Sequence, residues 1–319
     1  MDMSNIIYHY TSPEGILGIL ENKTLRFTDC QYLNDKSEFR YIREPFEKAW
    51  SEICKKYNKE FNISDVNYMI DGFSKSPYQI DEIDYVNFMG KVDGNFNELI
   101  SANAKTHRYY VLCGSQHKDA SNMWNYFVKN GVYQGYNLGI DLSFLNRKFE
   151  RICRSNNEIK IFSKEVIYNF EEQVNIIINK MDEIIADKDG RLSKLFVTDE
   201  MNLEAKIKFS IWEFIHEQKL FFKNPAFENE KEHRFILRVD NEFSNRDNLS
   251  MKFRVGESGI ITPFIEWKYT LDEKGELFKQ ITLAPMIEPE LAEESFKRFL
   301  APTVYRNIKI IQSSIKLRF

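Results

Sequence analysis

The chain reads as an α+β protein: a discontinuous mixed or antiparallel sheet core interrupted by helical insertions. Three features of the 319 residues predict it. Apolar strand-like runs occur at both ends and in the middle, two long blocks between them carry helical periodicity, and the regular strand–helix alternation of a doubly wound sheet is missing. The expected organisation is a single domain over residues 1–319, with helical insertions at 44–108 and 164–222.

The opening "NIIYHYTSPEGILGILENKTLRFTD" parses into strand, short helix, strand. Ile6 to Thr11 has strand composition. Ser12 is placed to cap the helix, Pro13 takes its first position, and Glu14 sits near the positive end of its dipole. Ile16, Leu17, Ile19 and Leu20 recur at helical spacing. Asn22-Lys23 ends the helix, and Leu25 and Phe27 alternate with Arg26 and Thr28 in a second strand.

"YLNDKSEFRY" leads from turn residues into a helix, and the text stays helix-rich from Phe46 to His107, with a break at "SKSPYQ". "YYVLCGS", Tyr109 to Ser115, is the next strand. "DASNMWNYFV" reads as a short helix, and the glycines of "GVYQGYNLGIDLS" turn the chain into a strand from Tyr136 to Leu142. A helical block follows from Glu165 to Lys219. Strands return at Arg234–Asp240, Leu249–Val255, Ile260–Tyr269 and Lys279–Pro285. A helix from Pro289 to Phe299 and a final strand "KIIQSSIKL" complete the reading.

Composition narrows the function classes. The 14% aromatic content and the balance of 44 basic against 48 acidic residues fit an ordered globular protein without global steering toward nucleic acid. Lys105, His107 and Arg108, and the run Arg147, Lys148, Arg151 and Arg154, offer local basic patches, although charge runs are commonly just solvated faces. The four cysteines show no zinc-ligand spacing and no disulfide framework, so they are expected to be reduced thiols in a cytoplasmic protein. No signal peptide is expected, and no apolar stretch reaches the ~20 residues of a membrane span. There is no GxGxxG, Walker A, HExxH or GxSxG motif, and the five histidines do not cluster, so no metal is expected.

Three segments carry candidate chemistry. In the first, His9 lies between Tyr8 and Tyr10, which point to the opposite strand face. Thr11 and Ser12 place hydroxyls beside a helix N-terminus, whose free N–H groups suit an anion. The plainer reading is a half-buried strand histidine bonded to backbone. The second is "FKNPAFENEKEHRFIL", where Glu228, Glu230 and Glu232 fall two apart. In an extended chain they share one face with Arg234, and Glu232 is the candidate electrostatic or general-base group. The plainer reading is a solvated acidic entry to a strand. The third is "CGSQHKDASNMWNYFVKNG", where Ser115, Ser121 and Tyr126 are the polar members and Met123 and Trp124 read as core.

Together, and in this order, the motifs "YHYTS…GIL", "YLNDKSEF", "S…D…S-M-W…Y…G" and "NPAFENEKEHRF" resemble the DUF2971 family, with later echoes in "PFIEW", "ITLAP" and "SSIKLR". That family name carries no defined activity. The opening strand and helix are also similar to those of ADP-ribosyltransferase-fold proteins, and "ASNMWNY" is similar to the serine-bearing helix of their middle segment. This second resemblance implies an ADP-ribosyltransferase-like sheet and NAD as substrate. By position, His9 would hold the adenosine-side or nicotinamide-side ribose, and Ser121 or Tyr126 would pack at the nicotinamide. Glu232 would bond the ribose 2′-hydroxyl and stabilise the positive charge developing at the anomeric carbon. Tyr8, Tyr10, Thr11, Ser12, Ser115 and Arg234 would complete the binding surface.

The chain departs from this pattern where a nicotinamide-stacking tyrosine is expected. That place falls near Leu112 or Cys113, with Tyr109 and Tyr110 close by. The activity so implied is NAD-dependent ADP-ribosyl transfer or NAD hydrolysis, of a toxin or phage-defence type, on a nucleic-acid or protein acceptor and without a membrane partner. The alternative is a non-catalytic nucleotide-binding sensor or protein-interaction module. A metal-dependent phosphodiesterase lacks its ligands.

Overall fold

The computed structural model describes residues 5–33, 41–59, 107–127, 134–156, 158–186, 207, 210–211, 214–215, 217–240, 243–246, 248–256, 259–269, 272 and 274–316. The chain divides into two compact units, Met1–Tyr32 with Tyr109–Glu165 and Asn229–Phe319, and Leu33–Arg108 with Val166–Glu228. Much of "YLNDKSEF", together with Lys105 and His216, lies outside the described residues.

The first unit is built on a ten-stranded sheet. Its strands are β1 (Ile6–Thr11), β2 (Thr24–Asp29), β3 (His107–Ser115), β4 (Tyr136–Asp141), β5 (Ile159–Glu165), β6 (Glu232–Asp240), β7 (Leu249–Val255), β8 (Ile261–Lys268), β9 (Phe278–Leu283) and β10 (Lys309–Gln312). The path runs β10-β9-β4-β1-β3-β2-β8-β7, and β6 pairs with both β3 and β5. β9 and β10 run parallel, whereas β1–β4, β2–β8 and β5–β6 are antiparallel. The mixed sheet with helices is the α+β class expected from the strand and helix pattern.

Alternation divides the sheet into two faces. Ile7, Leu25, Phe27, Tyr110, Leu112, Leu138, Phe235 and Leu237 all enter one core. Helix α1 (Pro13–Asn22) adds Ile16, Ile19 and Leu20 to it. Phe149 of α4 (Leu142–Ser155) meets the rings of Phe27, Phe235 and Trp267 edge-on at 5.6, 5.4 and 5.0 Å. Those offset contacts add to its area burial. Tyr8 and Tyr10 turn the other way, into a smaller cluster with Trp124, Met123 and Ala284. Met123 and Trp124 belong to α3 (Ser121–Phe127) and are core residues.

Local chemistry sets several boundaries. Ser12 Oγ accepts the Gly15 N–H at 3.1 Å, and the helix closes at Lys23 in the left-handed region, φ 55°. The strand expected to reach Leu142 stops at Asp141, because the Asp141 carboxylate accepts the Phe144 N–H at 2.8 Å and starts α4. Gly139 stands at a register shift between β4 and β9, where a Cβ would lie 2.7 Å from Gln280 Cγ. α4 and β5 fill the stretch between the strand ending at Asp141 and the helical block, where no element is expected from the sequence.

The second unit contains α2 (Arg43–Lys56) and α5 (Phe170–Ile185). Phe46, Ala49 and Ile53 of α2 share a core with Val174, Ile177 and Met181 of α5, the spacing of two amphipathic helices face to face. Gln173 is fully buried yet satisfied: its amide donates to the Ile167 and Lys223 carbonyls at 2.6 and 3.0 Å and accepts the Tyr41 hydroxyl at 3.2 Å. Burial pushes the Tyr41 hydroxyl up to about 12, with the nearby Glu44 charge adding to the effect.

Candidate functional site: the open end of strand β3

Three segments far apart in sequence meet at the C-terminal end of β3. Tyr8 of β1 lies opposite Ser115. Beyond Ser115, the Gln116 N–H donates to the Lys231 carbonyl at 2.9 Å, immediately before Glu232 opens β6. The Ser115 hydroxyl, fully buried, donates to the Glu230 carbonyl at 2.6 Å and accepts the His117 N–H at 3.0 Å.

His9 occupies a divergence between β1 and β3. The single registered pair is Tyr8 with Ser115, so a continued ladder would set Tyr10 opposite Cys113. The strands separate instead, and the half-buried His9 ring takes the Cys113 carbonyl, Nδ1 to oxygen 2.9 Å. Because a carbonyl only accepts, Nδ1 carries the proton and a neutral ring presents Nε2 as an acceptor. Burial lowers the His9 pKa, while the Cys113 bond works against that shift, so the ring is neutral at pH 7.

Glu232 and Arg234 form a buried pair. Arg234 Nε and NH2 donate to Glu232 Oε2 at 3.0 and 2.6 Å, and the two residues are 1% and 5% exposed, Arg234 the lower. They do not share their face with the other two glutamates of the motif. Pro225–Glu230 is a 3-10 turn, started by Asn224 Oδ1 accepting the Ala226 N–H at 2.9 Å, and Lys231 follows at φ 42°. The extended arrangement of Glu228, Glu230 and Glu232 expected from their spacing is therefore corrected to Glu232 alone on the strand.

The two principal candidates reach the same strand end from opposite faces. His9 shares its face of β1 with Ile7 and hence with the main core. Glu232 and Arg234 alternate with Phe235 and Leu237, so they project from the other face of β6. The structure thus pairs the strands of both His9 and Glu232 with β3 and directs the two side chains to opposite faces of the sheet.

The remaining candidates divide by what they touch. Tyr10 donates its hydroxyl to the His117 carbonyl at 2.9 Å, accepts the Ala120 N–H at 3.2 Å and packs edge-on against Trp124 at 4.7 Å. Burial raises its pKa, as it does for Tyr8. Both tyrosines are packing residues. Thr11 sits against α1, where a Cβ on Gly15 would stand 2.0 Å from Thr11 Oγ1. Ser12 is the helix cap. Ser121 is exposed at the start of α3, and the side chain of Tyr126 lies outside the described residues. Tyr110, one of the two candidates for nicotinamide stacking, is committed to the main core, and Tyr109 is buried as well.

Two further residues near this end join the network, His233 and the aspartate of the "S…D…S-M-W" motif, Asp119. His233 is buried, with Nε2 and the Ser163 hydroxyl 2.9 Å apart, and burial lowers its pKa against the opposing charge of Glu165. Asp119 gathers the Trp124 indole N–H at 2.7 Å, the Ser313 hydroxyl at 2.8 Å, and the Ser314 N–H and hydroxyl at 2.7 and 2.9 Å. The motif "S…D…S-M-W" and the late "SSIKLR" are therefore joined through one carboxylate. Burial pushes that carboxyl up, but these hydrogen bonds outweigh it and hold its pKa below the ordinary value.

Among the described residues, no group of three or more histidines, cysteines or carboxylates could hold a metal ion, and no helix is long and apolar enough to cross a membrane. All four cysteines are free thiols. No curated protein and no solved structure matches the chain. A family model does: residues 123–235, from Met123 in α3 to Phe235 in β6, match DUF2971, described as a protein of unknown function, the family its motifs resemble.

Proposed function

We propose that the protein cleaves the nicotinamide–ribose bond of NAD, passing ADP-ribose to a nucleic-acid or protein acceptor or to water. The observation that carries this reading is the meeting of the His9, Ser115 and Glu232 segments at one strand end, where β1 leaves β3. Cleavage builds oxocarbenium character on the ribose, and a fixed carboxylate lowers that barrier electrostatically. Glu232 supplies the carboxylate and Arg234 orients it. His9 offers Nε2 as acceptor for a ribose hydroxyl, while Nδ1 keeps its own position through Cys113. Because the two side chains leave from opposite faces, the dinucleotide would have to wrap the end of β3 instead of lying flat on the sheet.

A second reading, a nucleotide-binding or protein-binding module without catalysis, is favoured by one observation. Glu232 is held in a buried ion pair and His9 Nδ1 is spent on a backbone carbonyl, which are ordinary structural duties.

Incubation with NAD, with and without cell extract, separates the two by free nicotinamide. In the catalytic reading nicotinamide appears, and Glu232→Gln abolishes it while the circular dichroism is kept. His9→Asn, which retains a donor for Cys113 but lacks Nε2, weakens release too. A protein that shifts its melting temperature with NAD yet releases no nicotinamide is the binding module.

A further inference from the structure

Away from the β3 end, the first unit holds a cavity of about 140 Å³ between α4 and the end of β8. Trp267, Tyr269 and Phe144 give it aromatic walls, and Lys148, Arg151 and Lys268 stand at its margin. Its size matches the ~150 Å³ that accommodates a benzene ring and falls well under the ~300 Å³ at which drug-sized pockets begin. That volume is on the scale of a single ring system.

Among the described residues that line it, cations outnumber carboxylates. Among the lining residues the sole carboxylate is Asp272, whose oxygens are already engaged by the Glu276 N–H at 2.7 Å, the Leu277 N–H at 3.0 Å and the Tyr305 hydroxyl. Arg151 and Lys268 are exposed and have no carboxylate partner among the described residues. Lys148 Nζ lies 4.9 Å from the Phe144 ring centre, which keeps a cation next to the aromatic wall. Arg147 and Arg154 continue the basic face along α4, Arg154 with Glu150 at 3.5 Å. An aromatic slot with cations at its mouth and more cations along one helix is the arrangement that holds a base by its ring and the backbone by its phosphates.

We propose that this cavity takes the base of one nucleotide unit, with its phosphate held by Lys148, Arg151 and Lys268 and the adjoining strand following the basic face of α4. The site is independent of the NAD reading and stands or falls without it.

The test uses full-length protein with ¹⁵N-labelled tryptophan at low salt. The chain has four tryptophans, and Trp267→Phe assigns the reporting signal. The probes are a short oligodeoxyadenylate, adenosine 5′-monophosphate, adenosine and inorganic phosphate. The expected result is a titratable shift of the Trp267 indole with the first two. Arg151→Glu and Lys268→Glu, both at exposed positions, should each weaken binding about tenfold and flatten its salt dependence. Tighter binding of the oligonucleotide supports a strand as the source of the unit, and equal affinities support a free nucleotide. The proposal is overturned if the Trp267 signal does not move, if adenosine or phosphate alone reproduces the shift, or if neither charge reversal weakens it.

Discussion

Replacing His9 tests whether the imidazole holds the β1–β3 divergence or only borders it. His9→Ala removes the donor to the Cys113 carbonyl, 2.9 Å away, and leaves that acceptor beside a small void. An unsatisfied buried polar group costs about 1–3 kcal/mol. The half-buried position lets water substitute in part, so the expected loss is about 1–2 kcal/mol. His9→Asn places an amide N–H where Nδ1 stands and should recover most of it. The assay is urea unfolding followed by fluorescence, at several pH values.

The pH dependence has a definite sign. Burial depresses the folded His9 pKa, so as pH falls the unfolded chain takes up the proton first. The His9 contribution is complete above the unfolded value of about 6.5 and is lost as pH drops from there toward the folded pKa. Both variants should therefore lose less stability than the parent between neutral and mildly acidic pH. His233, also depressed by burial, preserves part of the slope. Equal stabilities of the alanine and asparagine variants, or an unchanged pH slope in both, would refute the assigned role.

Asp119→Ala should cost about 2–4 kcal/mol in a urea titration, since the fully buried Trp124 loses its indole partner along with the charge-assisted bonds from Ser313 and Ser314. In the parent, the depressed Asp119 pKa means that this contribution is present above the ordinary carboxylate range and disappears as pH falls through the folded value, which an acid titration of stability in the parent and Asp119→Asn compares. Gly15→Ala should destabilise by about 1–3 kcal/mol through its 2.0 Å approach to Thr11 Oγ1, and Thr11→Ala in the same chain should restore most of the melting temperature. Gln173→Leu strips partners from two carbonyls and the Tyr41 hydroxyl, so a loss of about 2–4 kcal/mol and exposure of the α2–α5 core to hydrogen exchange are expected.

The fold is most legible in the sequence where one turn of chain decides the outcome. The Ser12 cap, Pro13 at the helix start and the alternation of β1 and β2 depend on neighbours within four residues, and each appears where its chemistry puts it. The buried Met123 and Trp124 follow from their apolar character alone. Spacing misled in "FENEKEH", because residues two apart share a face only if the backbone is extended, and Asn224-Pro225 wind it into a turn. α4 is masked in the sequence because a basic run interrupts Phe144, Leu145, Phe149 and Ile152, which lie on the helix's apolar side.

What the sequence by itself determined is a set of local elements, their caps and which of their side chains are apolar enough to be core. Tertiary structure alone decided which distant groups meet: His9 with the Cys113 carbonyl, Asp119 with Ser313 and Ser314, Glu232 with the face turned away from His9. The reason is that a hydrogen bond between residues a hundred positions apart depends on where strands diverge and on ladder register. Both are set by packing the whole sheet against its helices, and a register step of one residue reverses every side chain.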